Sequence, residues 1–189
     1  MIQKSKLSQL QQEQVRVIES ALRWLATRKH ATPLGLLMHA IEDPEGDSAE
    51  HLASLVAPTA SLSDATAETR ALAIWGLIID LIRKVGSADD SRRRNTLIAA
   101  FRLPRRAEIL EPWKSSLGDR FKQLMDLPGV FGNPKPTTTT PMHKAWGRAV
   151  GEKLAPMLRE RLDELEAQGD AWRLYLEIAT GGGRVRHGE

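Results

Sequence analysis

The sequence predicts an all-α protein, a single domain of seven or eight helices packed around one central apolar helix at residues 64–85. The first observation is the run ALAIWGLIIDLI at residues 71–82, the longest apolar stretch in the chain. The second is that apolar residues elsewhere recur every three or four positions, the spacing of one helix face. The third is the scarcity of aromatic residues that favour strands, with one Tyr and three Phe in 189 residues.

The central helix carries a polar stripe on an otherwise apolar surface. Thr69, Gly76, Asp80 and Arg83 recur at helical spacing and therefore fall on one side. We expect this side to form one thin edge that is exposed or lined by polar groups, with Asp80 paired to Arg83 or Lys84. The apolar run is 12 residues long and contains Asp80. A membrane span needs about 20 apolar residues, so we expect no membrane association.

Three helices are expected before the central one. The first spans residues 7–29, where apolar residues recur at helical spacing. Thr32 and Pro33 predict the start of the second, because Thr is a favourable N-cap and Pro fits the first helical position. A turn cluster at residues 43–46 separates it from a third, short helix that ends near Val56.

Gly86 is expected to end the central helix, since glycine readily adopts the left-handed backbone that closes helices. The helices that follow are expected at residues 91–102, 116–125, 141–168 and 171–179. Pro156 should kink or divide the third of these, because its ring clashes with the preceding turn. Segment 127–140 holds three prolines and two glycines and is a candidate internal boundary within the domain 1–180. Residues 181–189 are expected to form a flexible tail.

Charge is distributed unevenly along a chain whose net charge is only +3. Residues 1–30 carry a net charge of +4, residues 31–90 of −7 and residues 91–125 of +6, while the remainder balances. An acidic block is thus followed by a basic one. Either the two blocks meet inside the fold, or each serves a different partner.

The basic block holds the strongest candidate site for a protein partner or a nucleic acid. Its residues are Arg92, Arg93, Arg94, Asn95, Arg102, Arg105 and Arg106. Guanidinium groups are fork-shaped donors that suit phosphates and carboxylates. A buried helix, a short turn and an arginine-led helix also follow each other as in a helix-turn-helix DNA reader. The alternative is that these arginines pair with the acidic residues 42–50 or are simply solvated.

A second candidate site lies among the acidic residues between the second and third helices. His39 with Asp43, and Asp47 with His51, have the i, i+4 spacing at which helical side chains can share a metal ion. Pro44 breaks the helix between the two pairs, so nothing in the sequence makes them converge. We therefore predict a solvated turn here and no metal site.

Local motifs for catalysis are absent from the sequence. There is no GxSxG, P-loop or GxGxxG pattern, and the lack of cysteine excludes disulfides and Cys nucleophiles. We therefore expect no cofactor and favour a non-enzymatic protein. The five tryptophans point to a contact surface, because Trp and Arg commonly anchor protein interfaces. Trp113 and Trp172 are the interface candidates, since neither is easily hidden in the expected core.

Three functions are compatible with these patterns. The first is a non-enzymatic regulatory or interaction protein that contacts a protein partner or a second copy of itself. The second is a DNA-binding transcriptional regulator that uses helix 91–102, with Arg102, Arg105 and Arg106 on backbone phosphates. The third is an enzyme with a site assembled from dispersed residues. We favour the first, and we expect a cytoplasmic protein because residues 1–15 lack the apolar segment of a secretory signal.

Overall fold

The structure, a computed structural model, describes residues 8–86, 91–104, 112–127, 129–131, 134–167 and 171–180. Within these residues every regular element is helical, which confirms the predicted all-α class. The helices are α1 (Gln9–Thr27), α2 (Pro33–Glu42), α3 (Asp47–Val56), α4 (Ala67–Lys84), α5 (Ser91–Ala100), α6 (Leu117–Met125), α7 (Thr140–Arg148), α8 (Ala155–Ala167) and α9 (Trp172–Ala179). A 3₁₀ segment, Ala57–Leu62, follows α3, and a π-helical turn, Ala149–Leu154, joins α7 to α8.

Helix α4 corresponds to the apolar helix predicted at residues 64–85, and half of its 18 residues are buried. Ile74, Leu77, Ile78 and Ile82 are fully enclosed. Helices α2 and α9 make the most extensive contacts with it, and α3, α5 and α8 also touch it. A helix enclosed on several sides needs apolar residues nearly all round, which explains the long apolar run. Its N-cap is Thr66, whose side chain accepts a hydrogen bond from the backbone N–H of Thr69.

The polar stripe of α4 is closed in its middle by α9. Gly76 is buried, and a Cβ atom at this position would lie 1.8 Å from the carbonyl oxygen of Tyr175. Glycine thus allows the backbones of the two helices to meet. The expectation of an open edge is wrong here, because α9 covers it. Nearer the end of the stripe the predicted pairing is confirmed, since Lys84 Nζ donates to Asp80 Oδ2 at 2.6 Å.

Helix α9 docks through two aromatic side chains. Trp172 is 1% exposed and Tyr175 is 2% exposed. The indole N–H of Trp172 donates to Ser61 Oγ at 3.1 Å, and the hydroxyl of Tyr175 accepts from Arg161 Nε at 2.6 Å. The expectation that Trp172 is not easily hidden in the core is therefore wrong. Its i, i+3 spacing to Tyr175 places both rings on the buried face of α9.

The helical backbone continues through Pro156. The backbone N–H of Ala155 donates to the carbonyl oxygen of Val150, five residues back, so the turn before the proline is wider than an α-turn. In a regular α-helix the proline ring would clash with the carbonyl of Glu152. The wider turn makes room for the ring. The predicted interruption is thus a widened turn within one helical rod, residues 140–167.

Segment 127–140 contributes to the same core as the helices around it. Phe131 is 9% exposed and belongs to one cluster with Phe121 on one side of the segment and Trp146 on the other. The internal boundary within this segment stays a prediction. The predicted tail, residues 181–189, lies outside the described residues.

Candidate anion-binding cleft

The first turn of α5 is the part of the arginine cluster that reaches the surface. Arg92 is exposed, whereas Arg93, Arg94 and Asn95 are half-buried. From Thr96 onward most residues are buried, and α5 packs against α6, α7 and the π-helical turn. Helix α5 therefore presents its N-terminal end to solvent rather than a full face.

An open cleft of about 530 Å³ lies between this first turn and α7. Arg92 and Arg93 line it from α5. Lys144 and Arg148 line it from α7, where their i, i+4 spacing puts both side chains on one side of the helix. Four cationic side chains from two helices thus line one open space. Lys144 and Arg148 were not among the predicted site residues, because no local sequence pattern links them to α5.

Apolar side chains complete the described lining, namely Phe131, Pro136, Pro141 and Ala145. These lining residues include no carboxylate, imidazole or hydroxyl group. The first turns of α5 and α7 both lie at the cleft, so the positive ends of their helix dipoles add to the cationic side chains. The cleft combines a concentrated positive potential with apolar contacts, which suits an anion carried on a larger molecule.

One carboxylate approaches the cleft from the π-helical turn. Glu152 Oε2 lies 3.5 Å from Arg93 Nη2. Arg92, Lys144 and Arg148 form no ion pair with a carboxylate anywhere in the described ranges. The carboxylates of the described residues therefore leave much of the positive charge of the cleft unbalanced.

The acidic residues 42–50 do not neutralise the described arginines of α5. No ion pair in the described part of the chain joins Arg92, Arg93 or Arg94 to that block, whose Asp47 instead pairs with His51 at 3.5 Å. Among the described residues, no group of three or more His, Asp or Glu side chains is placed to hold a metal ion.

This chain matches no known protein family, no curated protein and no solved structure. In the described ranges no helix combines the length and the apolar character that a membrane crossing requires.

Arg102 belongs to a helix cap rather than to the cleft. Its φ is 55°, in the left-handed region. The backbone N–H groups of Arg102 and Leu103 donate to the carbonyls of Ala99 and Ile98, which is the Schellman pattern that closes many helices. Glycine normally occupies this position, because a side chain there costs about 1 kcal/mol.

The guanidinium of Arg102 compensates for this backbone strain. Its Nη2 donates at 2.8 to 3.0 Å to three carbonyl oxygens, those of Arg28, Lys29 and Ser115. Burial lowers the pKa of Arg102 below its usual value. We therefore remove Arg102 from the predicted phosphate contacts. The two other arginines of that set, Arg105 and Arg106, lie outside the described residues.

Two substitutions at Arg102 separate its side chain from its backbone. Arg102→Ala loses the three hydrogen bonds and keeps the left-handed strain, so we expect the free energy of unfolding to fall by about 2 kcal/mol. Arg102→Gly loses the same bonds but relieves the strain, and it should be about 1 kcal/mol more stable than the alanine variant. Urea denaturation followed by circular dichroism measures both. Equal stability of the two variants would contradict a strained cap.

Arg120 is a second inward-facing arginine, and it was not among the predicted site residues. It is 0% exposed. Its Nη2 donates to the carbonyls of Ala26 at 2.6 Å and Ala100 at 3.2 Å, and its Nη1 donates to Ser115 at 2.5 Å and Lys114 at 3.3 Å. Loss of hydration, with a smaller contribution from the charge of Arg102, lowers the pKa of Arg120 to about 10. The guanidinium therefore stays charged at neutral pH.

The charge of Arg120 is balanced by backbone dipoles. None of its described hydrogen-bond partners is a carboxylate. Ala26 and Ala100 lie at the C-terminal ends of α1 and α5, where unpaired carbonyls carry the negative end of the helix dipole. Arg120 therefore joins the ends of two helices to the segment before α6.

Trp113, the other interface candidate, lies close to the same junction. It is half-buried, and its indole N–H donates to the carbonyl oxygen of Leu103 at 2.9 Å. This hydrogen bond ties Trp113 to the segment that leaves α5. Its role in an interface stays a prediction.

Proposed function

We propose that the protein is a non-enzymatic interaction protein that binds an anionic segment of a partner protein in the cleft between α5 and α7. The proposal depends above all on the convergence of Arg92, Arg93, Lys144 and Arg148 around a lining without a described carboxylate. Like charges that the fold brings together repel one another. A bound anion relieves that repulsion, so binding gains free energy from a cost already present in the free protein.

Two features favour a protein segment over duplex DNA. A recognition helix has to lie in the major groove, which is about 12 Å wide and admits a whole helix. Helix α5 is packed against α6, α7 and the π-helical turn, which leaves its first turn as the part that could reach a groove. In addition, Phe131 and Pro136 offer apolar contacts to the side chains of a peptide. DNA binding through α5 remains the alternative proposal.

A fluorescence anisotropy titration with a fluorescein-labelled, glutamate-rich peptide tests the proposal. We expect binding at low salt that weakens as salt rises, because the attraction is largely electrostatic. The Arg92→Ala, Arg148→Ala double variant should bind about tenfold more weakly, since two charged contacts are lost.

The matched control removes two arginines elsewhere. Arg16 and Arg173 have highly exposed side chains, each with one long ion pair, of 3.8 and 3.7 Å. The Arg16→Ala, Arg173→Ala variant has the same net charge as the cleft variant and should bind the peptide as the wild type does. Equal losses in both variants would show that binding follows net charge and not the cleft.

Two further readouts distinguish the partners. If a labelled DNA duplex bound more tightly than the peptide and through Arg92 and Arg148, the DNA alternative would replace this proposal. Light scattering at low and moderate salt reports self-association. A dimer that the same double variant abolished would identify the partner as a second copy of the chain.

A further inference from the structure

Among the described residues, a carboxylate already lies at the edge of the cleft. Glu152 extends from the π-helical turn, with its Oε2 atom 3.5 Å from Nη2 of Arg93. The side chain of Glu152 is 58% exposed, so a rotamer change can carry it away from Arg93. Glu152 is therefore an internal ligand that an external anion has to displace from Arg93.

An internal carboxylate lowers the affinity of the cleft for every external anion that has to displace it. Because Glu152 is tethered beside Arg93, its effective concentration there is on the order of millimolar or higher. When a carboxylate of a partner displaces Glu152, one monovalent anion replaces another at Arg93, so little binding free energy is gained. A phosphoryl group carries nearly two negative charges and three strong acceptor oxygens, so it makes stronger hydrogen bonds to guanidinium groups.

We propose that the cleft selects a phosphoryl group, carried on a phosphorylated Ser or Thr of the partner segment, with Glu152 as the internal competitor. This inference rests on the proposed function and names the chemistry of its ligand. Lys144 and Arg148 line the cleft from α7 and two arginines line it from α5, so a dianion in the cleft can contact cations of both helices. Phe131 and Pro136 then contact the residues that flank the phosphorylated side chain.

Three probes on the full chain test this proposal. They are a fluorescein-labelled phosphoserine peptide, the same peptide with glutamate in place of phosphoserine, and inorganic phosphate. In anisotropy titrations at fixed ionic strength, we expect the phosphopeptide to bind about tenfold more tightly than the glutamate peptide. Inorganic phosphate should displace the phosphopeptide, whereas acetate at the same ionic strength should not.

The variant Glu152→Gln removes the charge of the competitor and keeps its shape. Both peptides should gain roughly threefold in affinity, which corresponds to the strength of a solvent-exposed ion pair. The ratio of the two affinities should stay the same, because each peptide displaces the same group. Glu160→Gln is the matched control, since Glu160 is an exposed carboxylate on α8 that does not line the cleft. It should leave both affinities unchanged.

The outcomes separate this inference from the proposed function. Equal affinity of the two peptides, both weakened by Arg92→Ala with Arg148→Ala, would overturn phosphoryl selection and leave the proposed function standing. Binding of neither peptide would overturn both. A phosphopeptide that bound no more tightly than inorganic phosphate would assign the cleft to the free ion. Unchanged affinities in Glu152→Gln would refute the competitor role.

Discussion

Replacement of Gly76 by alanine is expected to lower the free energy of unfolding by about 3 kcal/mol and to loosen α9 from α4. The added methyl group would lie 1.8 Å from the carbonyl oxygen of Tyr175, and a backbone atom cannot turn aside as a flexible side chain can. Alanine favours a helix by up to about 1 kcal/mol over glycine, which offsets only part of this cost. Urea denaturation gives the stability, and amide hydrogen exchange of residues 172–179 reports the loosening.

A second glycine in the chain provides the control. Gly118 lies in the first turn of α6, and a Cβ atom there would have no neighbour within 4 Å. Gly118→Ala should therefore leave the stability unchanged or raise it by up to about 1 kcal/mol. If Gly76→Ala were as stable as Gly118→Ala, this result would contradict a direct contact between the backbones of α4 and α9 at Gly76.

Replacement of Arg120 by alanine is expected to cost about 4 kcal/mol of stability. The variant loses hydrogen bonds to four carbonyls, including those of Ala26 and Ala100 at the ends of α1 and α5. It also leaves a cavity in a fully buried place. Arg120→Lys keeps the charge, but one ammonium group cannot reach both sides of the junction as the planar guanidinium does. We expect it to cost about 2 kcal/mol.

Denaturation in urea also measures these variants, with Arg16→Ala as the control. Arg16 is an arginine with a highly exposed side chain on α1, and its loss should change the stability by no more than about 0.5 kcal/mol. A loss below about 1 kcal/mol in Arg120→Ala would mean that the helix ends do not depend on this side chain.

The features that the sequence predicted correctly depend on short-range signals. The apolar run identified α4, because no other arrangement hides so many apolar residues on nearly every side of a helix. Thr32 caps α2 as expected, accepting a hydrogen bond from the N–H of Gly35. Asp80 pairs with Lys84 at the predicted spacing. The residues of each signal are close together in the sequence, so the local pattern is sufficient to predict the feature.

The cleft and the arginine junction depend on contacts between distant parts of the chain. Lys144 approaches Arg92 only because α5 and α7 pack together, and no spacing in the sequence expresses that contact. The burial of Arg120, in contrast, could have been predicted from the sequence. It lies three residues after Leu117 and four before Leu124, on the apolar stripe of α6. A cation at such a position indicates burial with its own acceptors.

The π-helical turn determines which way the two halves of the rod 140–167 face. Trp146, Val150, Leu154, Leu158 and Leu162 are all buried, and each follows the last by four residues. In a regular α-helix each step of four advances about 40° round the axis, so the four steps would rotate the apolar stripe by about 160°. The π-helical turn takes in an extra residue and turns the stripe back toward the core. This one extra residue therefore lets the cations of α7 line the cleft while the leucines of α8 stay in the core.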